Sequence, residues 1–275
     1  MTRLRLGLAI LALLGFCALL APWAAGWIGA DPYQPDLFAR YDPPSAAHPL
    51  GADELGRDIL LRLLAGARVS LMVGLAAALL ASGLGTALGI LAAWRGGWVD
   101  AVLMRLADGM LALPALPLLV LLAAVDPGRL GLPRGEDWTD MLRITIILVV
   151  FGWVGVARLA RAATLSVLAT DYVRAARALG VTEARLLRRH VLPGIAAPVA
   201  VATSLAVAGA ILAESVLSFL GLGIQPPSPS WGNMLANAQE AVFAAPMAAV
   251  WPGLAILLAV AACGLVADGV SRRAE

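Results

Sequence analysis

Asp171-Tyr-Val-Arg-Ala-Ala-Arg-Ala-Leu-Gly180-Val-Thr-Glu-Ala-Arg-Leu-Leu-Arg-Arg-His190-Val-Leu-Pro193 is a charged stretch lying between two apolar runs. It reads as two short helices. Thr170 or Asp171 can cap the first, whose Ala175, Ala176 and Ala178 leave a nearly flat surface, and Gly180 supplies the left-handed residue that ends it. Thr182 can cap the second, with Glu183 in its first turn favoured by the helix dipole. Pro193 suits the opening turn of the following apolar run, where its missing N–H costs nothing. The spacing predicts a helix-turn-helix foot on whatever body the apolar runs build.

Composition decides what that body is. With 61% hydrophobic and 14% charged residues and a mean hydropathy of +0.86, the chain has too little polar surface to cover a soluble globule. A bilayer is the solvent it suits. Crossing the hydrocarbon core takes about 20 apolar residues, and six runs qualify, near Leu6 to Ile28, Val69 to Ala93, Met104 to Val125, Ile144 to Leu159, Gly194 to Phe219 and Pro246 to Val266. Arg105 and Asp108 interrupt the start of the third, and the fourth is short unless Arg158 and Arg161 snorkel from its end. The first run is longer than a signal-peptide core and reads as an uncleaved helix, despite Arg3, Arg5 and the small residues Ala24 and Ala25.

Arginine placement orients these spans. With both termini in the cytoplasm, Arg3, Arg5, Arg95, Arg105, the arginines from Arg158 to Arg189, Arg272 and Arg273 lie inside and the remaining minority outside. The acids Asp31, Asp36, Asp42, Asp53, Glu54, Asp58, Asp126, Glu136, Asp137 and Asp140 all fall outside, although acids weigh little in this rule.

Several chemistries are missing. All 20 basic residues are arginine, so no lysine exists for a G-x-x-x-x-G-K-[ST] phosphate loop or a Schiff base. His48 and His190, the two histidines, fall on opposite sides of the membrane, which removes a two-histidine metal site. Neither H-E-x-x-H nor G-x-S-x-G occurs. Cys17 and Cys263 sit singly in apolar runs and indicate neither a disulfide nor a metal framework. The arginine excess is spread over membrane flanks at a formal net charge of +2, which is no nucleic-acid footprint.

The Ala175-Ala176 pair, the glycine four residues after Ala176 and the closing Leu192-Pro193 resemble the E-A-A-x-x-x-G coupling loop of ABC importer permeases. Arg174 stands where that motif has glutamate, which puts any ion pair of the glutamate in doubt. His48-Pro-Leu-Gly-Ala-Asp-Glu-Leu-Gly-Arg-Asp58, running on to Gly66-Ala-Arg-Val-Ser70, and Glu214-Ser-Val-Leu-Ser-Phe-Leu-Gly-Leu-Gly-Ile-Gln-Pro-Pro-Ser-Pro-Ser-Trp-Gly232 resemble the dipeptide, oligopeptide and nickel branch, in its second permease subunit. The resemblance implies an all-α type I importer fold with six transmembrane helices in a single domain over residues 1–275. The first helix covers about 6–28, the permease core about 69–268 and the coupling loop about 162–193. It implies four further partners besides membrane lipid: a homologous second permease, two ATPase subunits that hold ATP and Mg, and a periplasmic or lipid-anchored solute-binding protein. The chain itself would bind no cofactor or metal, catalyse no covalent step and sit in the bacterial inner membrane. The ATPase-docking set carried over from the motif is Asp171, Tyr172, Arg174, Ala175, Ala176, Ala178, Leu179, Gly180, Val181 and Thr182.

Local patterns add three expectations. From Leu55, apolar residues at Ile59, Leu60, Leu63 and Leu64 alternate at helical spacing with Glu54, Arg57, Asp58 and Arg62, so this stretch is expected along the outer membrane surface. Gly221, Gly223, Pro226, Pro227 and Pro229 end the fifth span outside, and Trp231 is expected in the interface belt. Thr203, Ala206, Ala210, Glu214 and Ser218 share one helical face, as a wall of the translocation path or as packing against the partner permease.

Di- and oligopeptides are the favoured cargo, with nickel or another small solute open. A secondary transporter would show corresponding halves or broken helices with midplane charges, and a membrane-embedded enzyme would show a nucleophile and base or metal ligands on one side. Neither pattern is visible. Cysteines placed at Pro133 and Ser230 are expected to label from outside intact cells, and one at Val181 only after permeabilisation. External labelling at Val181 would reverse the topology.

Overall fold

The computed structural model describes residues 2–274 except 30, 127, 129–132, 134–136, 241, 242 and 244. The described residues are helical throughout the bundle: α1 (Thr2–Ile28), α2 (Ile59–Arg95), α3 (Gly97–Ala112), α4 (Ala115–Ala123), α5 (Asp137–Leu168), α6 (Asp171–Ala178), α7 (Glu183–Leu186), α8 (Leu192–Phe219), α9 (Trp231–Glu240) and α10 (Met247–Ala274). Five stretches are long and apolar enough to cross a membrane: α1, α2, α5, α10 and the continuous run Glu183–Phe219. The pair α3 and α4 supplies a sixth, bent by 86°.

That bend corrects the expected unbroken span from Met104 to Val125. Leu113 is extended (φ −89°, ψ 140°) because the ring of Pro114 disfavours helical geometry in the residue before it. Arg158 and Arg161 are both engaged by α3. Arg161 grips Asp100 at the head of α3 with two hydrogen bonds, Arg158 meets Asp108 at 3.5 Å, and α5 runs on for 32 residues.

The closest helix contact joins α2 to α5. Gly85 and Gly89, four residues apart on one face of α2, lie so close to α5 that a Cβ on either would collide with a backbone oxygen, that of Trp153 for Gly85 and that of Ala157 for Gly89. This is small-residue packing, which suits helices whose lipid surroundings offer no hydrophobic drive to associate. Around it Val73, Ala77, Leu119, Ile144, Leu148 and Leu217 form the main core from α2, α4, α5 and α8. Helix α1 packs at the margin on α2 and α10 and leaves Phe16, Leu19, Trp23 and Trp27 exposed, as a helix in lipid or against another subunit would.

Helix α2 also corrects the expectation for residues 55–64. At 37 residues it is about 55 Å long against a hydrocarbon core of about 30 Å, so the amphipathic stretch is its first turns and the capping loop before them rather than a strip on the membrane surface. Its polar side meets folded chain instead of water. The Arg57 Nε donates to Asp53 at 2.8 Å and its Nη2 to Glu54 at 2.8 Å, while Arg62 lies 3.3 Å from Asp53 and donates to the Pro32 carbonyl at 3.0 Å. Asp58 caps α2 by accepting from the Leu61 N–H at 2.8 Å and also meets His48 at 3.2 Å. Burial, and then the neighbouring Asp53, push the Glu54 carboxyl above its usual range. The 3.6-residue period was real, but it could not say that residues 31–58 fold back over the polar face.

Of the expected outer acids, Glu136 lies outside the described residues. Ser230 is fully buried, so it cannot report on sidedness; Phe38, which stands fully exposed on the 3-10 turn Leu37–Ala39, takes its place as the labelling position.

The glycine contacts predict opposite signs for the same substitution on one helix. Gly83→Ala, where a Cβ meets open space, should hold or raise the melting temperature, since alanine is about 1 kcal/mol the better helix former. Gly85→Ala and Gly89→Ala should lower it, by the equivalent of about 1–3 kcal/mol for overpacking. Thermal melts of the three purified variants check this, and equal shifts would contradict the α2–α5 contact.

Candidate functional site

The foot is built as its sequence suggests, with two differences. Helix α6 ends in a Schellman arrangement: the Gly180 N–H donates to the Arg177 carbonyl at 3.0 Å and the Val181 N–H to the Ala176 carbonyl at 3.2 Å. That geometry needs the left-handed backbone that Gly180 adopts, at φ +78°. The differences lie in the caps. Thr170 and Thr182 occupy the N-cap positions with extended backbone, yet neither side chain bonds to its helix, and the Thr170 hydroxyl donates backwards to the Val167 carbonyl at 2.6 Å. A hydroxyl that finds an acceptor in the preceding helix is not available to cap the next one. Pro193 stands in the second position of α8, in the opening turn expected of it, and a π-helical turn at Leu187–Val191 joins α7 to α8 without a break.

One side of the foot is a seat and the other is free. Val173, Leu186 and Val191 are buried with Ile90 and Ile195, and Trp94 and Val181 pack against them, so the foot rests on the ends of α2 and α8. Arg177 lies over the Trp94 ring at 5.9 Å and meets Glu183 at 3.5 Å, clasping α6 to α7. Of the ten predicted docking residues, Asp171, Tyr172, Arg174, Ala175, Ala178, Leu179, Gly180 and Thr182 are exposed, while Ala176 and Val181 are half-buried along the seat. Leu179 is 84% exposed at the end of α6.

The stripe on α8 divides in two. Thr203 turns its hydroxyl to the Val199 carbonyl at 2.8 Å, and Ala206 and Ala210 are half-buried beside a cavity of about 240 Å³ walled by Ala81 of α2, Leu119 of α4 and Phe151 of α5. No charged side chain lines that cavity. Glu214 and Ser218 instead face the interior of the chain. Glu214 is completely buried, accepting from Ser70 at 2.9 Å and from Ser218 at 2.7 Å. Each of these serines in turn accepts a backbone N–H, Ser70 from Trp231 at 3.2 Å and Ser218 from Ile224 at 3.0 Å. With a backbone N–H bound to its oxygen, each hydroxyl directs its own proton at the carboxylate. Glu214 thereby pins both ends of the segment 224–231 without a cation.

Other groups tighten the same segment. Trp231 is 1% exposed and donates its indole N–H to the Leu63 carbonyl at 3.2 Å, which corrects its expected place in the interface belt. Tryptophan favours that belt when its ring has no pocket, and here α2 supplies one. Ser230 and Asn233 form a capping box at the start of α9, each side chain bonding the other's backbone N–H. Arg143 of α5, which the sequence reading did not single out, donates to the Leu222 and Gly223 carbonyls at 3.1 and 3.3 Å. An arginine near the head of an apolar span was the available signal. Ser70 lies 144 residues from Glu214, a pairing that no local pattern encodes.

Residues 85–275 match the family model described as "Binding-protein-dependent transport system inner membrane component". The chain is 40% identical, over 96% of its length and 84% of the relative's, to the Di/tripeptide transport system permease protein DppC of Pseudomonas aeruginosa. It is 38% identical to the Probable D,D-dipeptide transport system permease protein DdpC of Escherichia coli, over 95% of this chain and 83% of that one. With the Glutathione transport system permease protein GsiD of Pectobacterium atrosepticum it shares 37% identity, over 87% and 77%. Among solved structures, the MetNI methionine ABC transporter in an inward-facing form superposes with a TM-score of 0.62 at 14% identity, covering 79% of this chain and 98% of that one. At that identity the likeness is one of fold.

The serine cage predicts an order of damage. Glu214→Ala strands two buried hydroxyl donors, each costing about 1–3 kcal/mol, whereas Ser70→Ala strands a single donor, the Trp231 N–H, and leaves the carboxylate its bond from Ser218. Melting temperatures should therefore fall further for Glu214→Ala than for Ser70→Ala. The reverse order would show that Glu214 is not the centre of the network.

Proposed function

The chain belongs to the family of binding-protein-dependent transport system inner membrane components, and from that premise we propose that this ABC importer permease subunit carries di- or oligopeptides. The peptide and glutathione permeases among its relatives support this cargo, as does the extent of the match, which runs over nearly the whole chain for the di/tripeptide and D,D-dipeptide relatives. Nickel and other small solutes are the second reading, carried only by the resemblance of the two outer motifs. The importer as a whole comprises this subunit, a second homologous permease, two ATPase subunits holding ATP and Mg, and a solute-binding protein outside the membrane. This chain binds no nucleotide, having no lysine to place in a phosphate loop. Both termini and the foot lie on the cytoplasmic side, in keeping with the arginine asymmetry.

The observation that carries the mechanism is the free face of the foot. It stands on the ends of α2 and α8, so a push on α6 reaches the two helices that also hold Ser70 and Glu214 at the far end. Closure of the ATPase dimer would move the foot, and the spans would follow as packed bodies, exposing the pathway alternately to either side. The uncharged cavity beside Ala206 and Ala210 suits a path that lets solute pass without holding it.

Gly180→Val tests the coupling. A Cβ at Gly180 meets nothing within 4 Å, so the cost is backbone strain of about 1–2 kcal/mol, too little to unfold the bundle. The variant should insert and pair with its partner permease, yet lose ATPase retention and uncouple hydrolysis from peptide uptake, beside Val181→Ala as a mild control. Normal uptake with normal retention would remove the foot from the mechanism. Binding of di- and tripeptides by the partner solute-binding protein tests the cargo, and binding of nickel alone would replace it.

A further inference from the structure

We infer that the foot is received by a carboxylate-lined groove on the ATPase, so that docking is driven by complementary charge around the exposed Leu179. This rests on the coupling role proposed above and adds the chemistry of the partner. Residues 171–190 carry Arg174, Arg177, Arg185, Arg188 and Arg189 against only Asp171 and Glu183. Both acids are already engaged within the foot, Asp171 with Arg174 at 3.6 Å and Glu183 with Arg177 at 3.5 Å. Arg185, Arg188 and Arg189 are exposed and meet no carboxylate among the described residues.

On α6 the free face is flat and apolar. Ala175 and Ala178 are exposed on the same side of α6 as Arg174, and Leu179 and Tyr172 stand 84% and 53% exposed. Burying such a face brings guanidinium groups against the partner, and an arginine taken out of water without a counter-charge is costly. A groove with aspartates or glutamates at its rim answers both needs, since carboxylates accept the arginine fork in pairs of bonds. Anionic lipid offers similar charge, but the orientation speaks against it. The buried side of the foot packs on the ends of α2 and α8, so its free face looks away from the spans and the bilayer they cross.

The experiment uses the assembled permease pair in nanodiscs, with purified ATPase subunits added at several salt concentrations. Arg174→Glu and the double variant Arg188→Glu/Arg189→Glu should each weaken ATPase binding about three- to tenfold at low salt and flatten its salt dependence, while Arg174→Lys should retain most of it. Exchanging a rim carboxylate of the ATPase for arginine should restore binding to Arg174→Glu. Leu179→Ser is the neutral probe of docking itself. If Leu179→Ser releases the ATPase but charge reversal and salt change nothing, the charge inference falls and the coupling role stands. If neither Leu179→Ser nor charge reversal affects binding, the coupling role falls and takes the inference with it. A charge-reversal effect that appears only in discs containing anionic lipid would make the lipid headgroup the partner and overturn the assignment to the ATPase.

Discussion

The contact on which the rest of this molecule depends is the approach of α2 to α5 at Gly85 and Gly89, close enough that no side chain fits between them. In lipid the solvent is as apolar as the side chains, so helices gain from association mainly by packing and by polar bonds. Two glycines four residues apart allow the backbones to meet and make α2 a fixed axis. Everything functional hangs on that axis. Ile90 and Trp94 at its lower end seat the foot, Ser70 near its upper end holds Glu214, and Asp58 with Arg62 at its head organises residues 31–58.

The polar chemistry of the chain is concentrated at the two ends of the bundle and is used differently at each. At the end remote from the foot, charges are buried against protein partners: Arg57, Asp53 and Arg62 interlock, Arg143 holds the Leu222 and Gly223 carbonyls, and Glu214 is served by serines, while the Arg62 Nη2 and the Arg143 Nε find no hydrogen-bond partner among the described residues. Such groups are strongly destabilising if one partner is lost, so they specify one arrangement of the segment 220–231. At the foot the charges are exposed, with long contacts of 3.5 and 3.6 Å. Exposed pairs contribute little to folding. They remain open to recognition by another surface, as the coupling role proposed for the foot requires.

Between the ends, the cavity beside Ala206 and Ala210 has no charged lining. A neutral wall of small residues neither traps a zwitterion nor demands one.

How far the sequence reached is clearest where it stopped. Its apolar runs determined a membrane chain of five or six spans, because bilayer thickness and the cost of lipid-exposed polar groups act on each segment separately. The foot was equally legible, since a left-handed glycine and small residues at fixed offsets are local properties. Its caps were not, because the Thr170 hydroxyl chose an acceptor in the preceding helix. The amphipathic stretch at 55–64 and Trp231 were both assigned to the membrane surface, yet Arg57, Asp58 and Arg62 on the polar face of the first, and Trp231 itself, are buried. A helical period states that a face is polar; only the tertiary structure states whether water, lipid or another loop lies against it. The same holds for Glu214, whose helical face was visible in the sequence but whose partner Ser70 comes from α2. Segment-level physics is written in the chain, whereas the pairing of polar groups across helices exists only once the helices have packed.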